Sequence, residues 1–193
     1  MQSWDALPCI SLRPAGQMTA EVSACGIGDF RAAGRYLHLL PYGRNTNRSD
    51  FKLVLTERRG TCSTKHALLA ELAREQQLAV FLTLGIYAMN ERNTPGVGAV
   101  LRRYGLNDIP EAHCYLTYAG VRIDITRSGN EPVEPIDRLL YEETILPAQI
   151  GNYKVELHQR FLRNWAINQQ AAHAYTFTEL WKIREECIAA LTQ

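Results

Sequence analysis

The chain has 193 residues, with 21 Lys or Arg, 20 Asp or Glu and a formal net charge of +1. This length is enough for one domain with a substantial hydrophobic core, so we expect a single domain over residues 1–193. The balanced charge argues against a nucleic-acid partner, since nucleic-acid-binding surfaces usually carry a basic excess.

Export and membrane insertion are not expected either. Residues 1–6 lack the charged and apolar regions of a secretion signal. The longest apolar run, residues 78–89, is too short to span a bilayer. The five cysteines show no paired spacing, which is typical of proteins in a reducing compartment. We therefore predict a cytoplasmic protein with no membrane partner.

The apolar pattern predicts helices together with a few strands, while residues 1–27 are only weakly patterned. Helical spacing of apolar residues predicts helices at 29–40, 50–57, 158–170 and 176–191 and a helical turn at 98–104. Continuous or alternating apolar residues predict strands at 80–89, 113–118, 121–126 and 150–157. This order predicts an α+β fold, with helices packed on a small, mainly antiparallel sheet.

Two of these strands form a predicted hairpin with Ala119-Gly120 as its turn. A two-residue turn places Tyr115 opposite Asp124, and it puts His113 on the same face as a diagonal neighbour of Asp124. Diagonal cross-strand residues are roughly 7–8 Å apart, which lets an imidazole and a carboxylate meet. One face is then polar and the other apolar: His113, Tyr115, Thr117, Arg122, Asp124 and Thr126 against Cys114, Leu116, Tyr118, Val121, Ile123 and Ile125.

A further helix is predicted to begin near Cys62, because Thr61 is a suitable N-cap and helix-forming residues follow over 67–74. Gly60 lets the chain turn sharply into this helix. Cys62 then lies in the first turn, where backbone N–H groups and the helix dipole favour a thiolate and can bind an oxyanion. The alternative is that Cys62 is a small buried apolar residue, as most free cysteines are.

In chain order, Cys62, His113 and Asp124 can supply a nucleophile, a base and an orienting carboxylate for thiol chemistry. Their surroundings resemble the transglutaminase-like superfamily of papain-type thiol enzymes. The matching features are Gly60-Thr61-Cys62, then Lys65 and Ala67-Leu68-Leu69, then His113 and Asp124 on a hairpin.

This resemblance covers roughly residues 50–127 and implies a transglutaminase-like domain with its core there. It implies a papain- or transglutaminase-like fold with the nucleophile at a helix N-terminus. The roles it implies are nucleophile for Cys62, base for His113 and orienting acid for Asp124. The residues after His113 are Cys and Tyr, where many members of the superfamily have a Trp.

Such an enzyme hydrolyses or transamidates a peptide or amide bond through a thioacyl intermediate on Cys62, so the expected partner is a peptide or small-molecule amide substrate. The scheme requires no cofactor, and Cys62 with His66 alone does not complete a metal site. One alternative is a non-catalytic binding module on the same fold. Another is an acyltransferase using acyl-CoA, because Arg59-Gly60-Thr61-Cys62 is similar to a motif of arylamine N-acetyltransferases.

An oxyanion site needs a second donor besides the backbone N–H of Cys62. The polar loop before the cysteine helix offers three candidates, which are Tyr42, Asn45 and Asn47. A plain surface turn is the alternative explanation of this loop, because Asn and Gly are common in turns. The sequence does not choose among the three residues.

Three further residues are predicted to support the triad from its surroundings. His66 follows Cys62 by four positions on the same helix face, as a rival base or a structural residue. Lys65 is either a cation near the thiol or a solvated lysine. Arg122 shares the polar face of the hairpin, where it binds an acidic substrate group or pairs with a nearby carboxylate.

Overall fold

The computed structural model describes residues 3–126, 136 and 138–191. Within these residues the chain forms an α+β fold with seven α-helices and a four-stranded antiparallel sheet, which confirms the predicted class. The helices are α1 (Gln17–Ala24), α2 (Phe30–Leu39), α3 (Leu53–Glu57), α4 (Cys62–Glu75), α5 (Gly98–Arg103), α6 (Asn152–Asn168) and α7 (Phe177–Ala190). The strands are β1 (Val80–Met89), β2 (Ile109–Tyr118), β3 (Val121–Ile123) and β4 (Tyr141–Ile145), in the sheet order β3-β2-β1-β4. Short 3-10 turns lie at Ser3–Ala6, Pro147–Ile150 and Gln170–Ala174.

The described residues group into two compact units. The first unit holds residues 3–84, 113–126 and 143–152, and the second holds 85–112, 136, 138–142 and 153–191. Every candidate site residue belongs to the first unit. The single domain expected over residues 1–193 stays a prediction. No helix in this described part of the chain is both long enough and apolar enough to cross a membrane.

The core of the first unit is built around α4, which is buried at every position from 62 to 70. The helix begins where the sequence predicts, because the Thr61 hydroxyl accepts from the Thr64 N–H (3.4 Å) and the Thr64 hydroxyl accepts from the Thr61 N–H (3.0 Å). This reciprocal cap satisfies two N–H groups that a helix start otherwise leaves unpaired. Leu68 and Leu69 are fully buried, and α1 and α2 pack against α4. Each such leucine contributes about 1.5–3 kcal/mol by leaving water.

The second unit has its own apolar core, with α5 packed against α7. Its fully buried members include Met89, Val97, Ile109, Leu162, Leu180 and Cys187. A buried ion pair accompanies this core: the Arg184 guanidinium donates to both Glu111 oxygens, at 2.6 and 2.5 Å. Such a two-pronged pair satisfies both charges in one geometry. None of the candidate site residues belongs to this core.

Several predicted elements are confirmed and others differ, among them α1 within the weakly patterned residues 1–27 and β3, which ends at Ile123 and not at residue 126. The predicted strand at 80–89 is β1, and the helix predicted at 29–40 is α2, capped by the Asp29 carboxylate. The strand predicted at 150–157 is wrong, because α6 begins at Asn152. Apolar residues alternate loosely there, but from Leu157 they continue at helical spacing, and a helix satisfies the longer pattern. The sequence does not predict β4, because only Ile145 of this strand is buried and its apolar residues do not alternate with polar ones.

Gly60 joins the entry of α4 to the preceding loop. Its N–H donates to the Pro41 carbonyl (3.2 Å), and its own carbonyl accepts from the Gly43 N–H (3.2 Å). These two hydrogen bonds form an isolated parallel β-bridge between Tyr42 and Gly60. This pairing fixes the loop of residues 41–43 beside the first turn of α4.

We expect Gly60→Ala to lower the free energy of unfolding by about 1–3 kcal/mol, because overpacking forces neighbours to shift. A Cβ at this position would lie 2.9 Å from Thr64 Oγ1 and 3.0 Å from Val54 Cγ2. Urea denaturation measures the loss. Gly28→Ala is the matched control, since no heavy atom lies within 4 Å of its Cβ position. Equal effects of the two substitutions would contradict crowding at Gly60.

Candidate functional site

The predicted hairpin forms with the predicted register. Tyr118 pairs with Val121, Thr117 with Arg122 and Leu116 with Ile123. The turn residues Ala119 and Gly120 both have positive φ, at 48° and 76°, as the tight two-residue hairpin turn requires. β3 ends at Ile123, so Asp124 is the first residue beyond the ladder. β2 is buried on both faces over 109–116, so His113 and Tyr115 on its polar face are shielded from solvent.

His113 and Asp124 meet as the register predicts. His113 Nε2 and Asp124 Oδ2 lie 2.6 Å apart, a short charge-assisted hydrogen bond. The His113 side chain is 11% exposed and that of Asp124 is 39% exposed. The second carboxylate oxygen, Oδ1, accepts from the Thr126 N–H (2.9 Å) and from the Thr126 hydroxyl. Both oxygens of Asp124 are therefore held in place.

The charges of this pair stabilise one another. Burial alone would raise the pKa of Asp124, but the His113 imidazolium and the hydrogen bonds from His113 and Thr126 hold it well below its ordinary value. Burial alone would lower the pKa of His113, but the charges of Asp124 and Cys62 and hydrogen bonds to both side chains raise it well above 6.5. His113 therefore stays protonated at neutral pH when the thiolate is present.

Cys62 is the first residue of α4 and is 8% exposed. Its sulfur lies 3.8 Å from Ser63 Oγ, and its side chain forms a hydrogen bond with His113. Because Nε2 of His113 faces Asp124, Nδ1 is the ring nitrogen left for the hydrogen bond with Cys62. The N–H groups of the first helical turn and the helix dipole add to the stabilisation of a negative sulfur.

His66 is fully buried, and the hydrogen bonds at its two ring nitrogens require the neutral imidazole. Its Nδ1–H donates to the Cys62 carbonyl oxygen (2.7 Å), and its Nε2 accepts from the Ile125 N–H (2.9 Å). Burial lowers the pKa of His66 to about 4, although the Asp124 charge opposes the shift. Both ring nitrogens are occupied by main-chain groups, so the alternative of His66 as a rival base finds no support in this geometry.

Lys65 is buried completely, which rules out the solvated lysine that the sequence left open. Its ammonium donates to the Leu40 carbonyl (2.6 Å) and the Thr126 carbonyl (3.0 Å). Burial lowers the pKa of Lys65 to about 8, while the negative charges of Asp124 and Cys62 oppose this shift. A buried cation therefore interacts with the charges of both Cys62 and Asp124.

The three oxyanion candidates have different surroundings. Asn45 is buried, donates its amide hydrogens to Glu57 and the Arg59 carbonyl (3.0 Å each) and accepts from the Thr64 hydroxyl (2.9 Å). Asn47 is exposed, and its amide oxygen accepts from the Ser49 N–H (3.0 Å). Tyr42 forms a bridge with Gly60. Gly60 precedes Cys62 by two residues. The structure thus brings Tyr42 and Asn45 to the start of α4 and leaves Asn47 in a surface turn.

Arg122 lies on the same side of the hairpin as the triad, as predicted. Its side chain is exposed, with the guanidinium carbon 4.6 Å from the centre of the Tyr115 ring, a cation–π distance. The Tyr115 ring in turn stacks on His113, with centroids 6.3 Å apart and planes inclined by 24°. Tyr115 therefore packs between His113 and Arg122, a role that its place on this face of the hairpin did not predict.

Two other residues around Asp124 had no predicted role. Thr126 holds the Asp124 carboxylate, and the spacing Asp-x-Thr is a local signal for such a turn. His38 is buried, packs against Trp4 with the two rings tilted by 47° (4.3 Å between centroids), and hydrogen-bonds the main chain of Ile125. No sequence signal marks His38, because its partners are distant along the chain.

Together these groups can activate a thiol for attack on a carbonyl carbon. The sulfur has an adjacent proton carrier, the imidazole has an orienting carboxylate, and N–H groups at the helix start can receive a developing negative oxygen. Over residues 3–126, 136 and 138–191, no group of three or more His, Cys, Asp or Glu side chains is arranged to hold a metal ion.

We expect the buried ammonium of Lys65 to make stability depend on alkaline pH. Its pKa is about 8 in the folded protein against an ordinary 10.5. Between these values the unfolded chain binds more protons, so the free energy of unfolding rises with pH by up to about 1.4 kcal/mol per pH unit. Lys65→Met removes this contribution.

Urea denaturation of both proteins between pH 8 and 10.5 measures the difference in slope. Lys52→Met is the matched control, because Lys52 is exposed and its ammonium contacts Gln17 (3.1 Å) away from the triad. The same pH dependence in the wild type and Lys65→Met would refute a buried ammonium at this position.

Comparison of the chain with models of protein families, with curated proteins and with solved structures gives no match. The resemblance to transglutaminase-like enzymes therefore remains a prediction from the sequence motifs. The α+β class of the fold and the geometry around Cys62, His113 and Asp124 are the grounds on which a function can be argued.

Proposed function

We propose that this chain is a thiol-dependent acyl-transfer enzyme of the transglutaminase-like type, with a papain-like arrangement of its catalytic groups. It hydrolyses or transamidates a peptide or amide bond. The main support is the 2.6 Å hydrogen bond between His113 Nε2 and Asp124 Oδ2. It leaves the other ring nitrogen for Cys62, whose side chain hydrogen-bonds His113 at the start of α4.

In the resting enzyme the sulfur and the imidazole form a thiolate–imidazolium pair. The thiolate of Cys62 attacks the carbonyl carbon, and the carbonyl oxygen becomes an oxyanion. As this intermediate collapses, the carbon–nitrogen bond breaks and His113 gives its proton to the leaving amine. A thioester on Cys62 and a neutral His113 remain. Asp124 stays ionised throughout and holds the imidazole in the required orientation.

The thioester then reacts with a second nucleophile. Neutral His113 removes a proton from water, the resulting hydroxide equivalent attacks the thioester carbon, and the carbon–sulfur bond breaks to release a carboxylic acid. An amine in place of water gives the transamidated product. We favour hydrolysis because water is always present at the site. Neither step uses a metal or an organic cofactor.

The oxyanion accepts one hydrogen bond from the backbone N–H of Cys62. For the second donor we favour Tyr42. Asn45 already donates its amide hydrogens to Glu57 and to the Arg59 carbonyl, and Asn47 is exposed in a turn. The pairing of Tyr42 with Gly60 keeps it near the nucleophile.

We expect iodoacetamide to alkylate Cys62 well below pH ~8.5, the ordinary pKa of a cysteine. His113→Ala should move this reactivity toward the ordinary range, because the thiolate loses its counter-ion. Asp124→Asn should give an intermediate shift. The measurement is the alkylation rate of each cysteine against pH, read by peptide mass spectrometry.

The chain provides its own reference thiols, since Cys9 and Cys25 are exposed and free, whereas Cys114 and Cys187 are buried. Cys62→Ala should leave alkylation of Cys9 and Cys25 unchanged. If Cys62 follows the pH dependence of Cys9 in the wild type and in both triad variants, the triad assignment is wrong.

We also expect a transient acyl-enzyme when the protein is mixed with a small activated acetyl ester. Intact mass should show one acetyl group on Cys62, and peptide mapping should distinguish it from acetylation of Cys9 or Cys25. The adduct should disappear by hydrolysis faster in the wild type than in Asp124→Asn. A non-catalytic binding module gives no adduct on Cys62. Rapid acetylation by acetyl-CoA instead would favour the acyl-CoA-dependent alternative.

A further inference from the structure

We propose that His66 is a positioning residue for the acyl-transfer reaction: its neutral imidazole ties the nucleophile turn of α4 to the segment that carries Asp124. This inference rests on the proposed function, because it assigns His66 a task in keeping that triad assembled. His66 does not touch the reacting atoms. Lys65, the preceding residue of the helix, holds the same segment from a second point.

The segment after β3 is not held by the sheet. β3 ends at Ile123, so the next peptide groups have left the sheet ladder. Ile125 is fully buried and Thr126 is nearly so, at 8% exposed. Buried main-chain N–H and C=O groups need partners, and without the ladder they must find them in side chains. The position of Asp124 therefore depends on whatever binds Ile125 and Thr126.

Buried basic side chains bind these main-chain groups. His66 Nε2 accepts from the Ile125 N–H (2.9 Å), and the Lys65 ammonium donates to the Thr126 carbonyl (3.0 Å). His38, on α2, adds a hydrogen bond to the main chain of Ile125. Two helices thus hold the segment that the sheet has released.

His66 is distinctive because it also binds the nucleophile residue. Its Nδ1–H donates to the Cys62 carbonyl (2.7 Å), so one rigid ring joins the main chain of Cys62 to that of Ile125. The ring is fully buried and lies edge-on to His113, with centroids 6.4 Å apart. Its width therefore helps to set the separation between the thiol and the Asp124 carboxylate.

The ring can do this only when it is neutral, because Nε2 must accept a hydrogen bond. A proton on Nε2 would oppose the Ile125 N–H and would turn toward Asp124 Oδ1, 3.6 Å away, in competition with Thr126. Burial lowers the pKa of His66 to about 4 against the opposing charge of Asp124, and the positive charges of His113 and Lys65 add to this shift, so the ring is neutral at neutral pH. The lysine beside it thus favours the neutral ring as well as binding Thr126.

Two amide substitutions separate positioning from simple packing. The amide of Gln reaches about as far as Nε2 of histidine, so His66→Gln keeps an acceptor for the Ile125 N–H. The amide of Asn reaches only as far as Nδ1, so His66→Asn keeps the donor to Cys62 and loses the contact with Ile125. Both substitutions put an amide into the same buried space, so they serve as matched controls for each other.

The readout is the alkylation rate of Cys62 by iodoacetamide against pH, together with the proton resonance of the hydrogen bond between His113 and Asp124. We expect His66→Gln to lose less reactivity than His66→Asn, because it gives up only the bond to the Cys62 carbonyl, which lies within α4 itself. His66→Asn should lower the alkylation rate below pH ~8 by on the order of tenfold or more, as misplacement of a reacting group does. It should also weaken the low-field resonance. Wild-type behaviour of both variants, or equal losses in both, would overturn the positioning role.

A measurement on the wild type keeps the inference testable if a variant does not fold. Nitrogen-15 spectra of the histidines should show His66 as the Nδ1–H tautomer, with coupling across the hydrogen bond from the Ile125 N–H to Nε2. An Nε2–H tautomer at neutral pH would overturn the inference. If wild-type Cys62 reacts like Cys9, the proposed function itself fails; if Cys62 is reactive but His66→Asn leaves it unchanged, only the role of His66 fails.

Discussion

The hydrogen bond between His113 and Asp124 is the interaction on which the candidate site depends. A charged imidazole costs free energy where it is shielded from water, and His113 is only 9% exposed. The carboxylate 2.6 Å away offsets that cost and holds the ring so that its other nitrogen faces Cys62. Without this pair the ring would lose its proton on burial, and the sulfur would lose the counter-ion that favours a thiolate.

The pair in turn depends on where β3 stops. Because the ladder ends at Ile123, Asp124 lies just outside it and is free of the fixed geometry of paired strands. Within the segment Thr126 binds the Asp124 carboxylate, and the buried side chains of His66 and Lys65 bind the main chain of Ile125 and Thr126. Because the ladder is short, side chains of α4 replace the sheet hydrogen bonds of this segment. These contacts connect the Asp124 carboxylate to the helix that begins with Cys62.

The sequence was sufficient for those parts of the site that follow from local rules. Alternation over 113–126 determined the register that brings His113 to Asp124, and Thr61 marked the start of α4. The burial of Lys65 could not be predicted, because the carbonyls that bind its ammonium belong to residues 25 positions before and 61 positions after it. The hydrogen bonds of Asn45 with Arg59 and Thr64 could not be predicted either, because these partners lie 14 and 19 positions away along the chain.

The composition of α4 is itself an argument for function at its first turns. Positions 67–70 are Ala, Leu, Leu and Ala, as expected of a helix inside a core. Positions 63–66 are Ser, Thr, Lys and His, yet their exposure is 6%, 1%, 0% and 0%. Apolar residues there would avoid the cost of burying a cation and several polar groups. Local conflicts with stability are expected mainly at functional sites, and this one surrounds the residue that the proposed mechanism uses as its nucleophile.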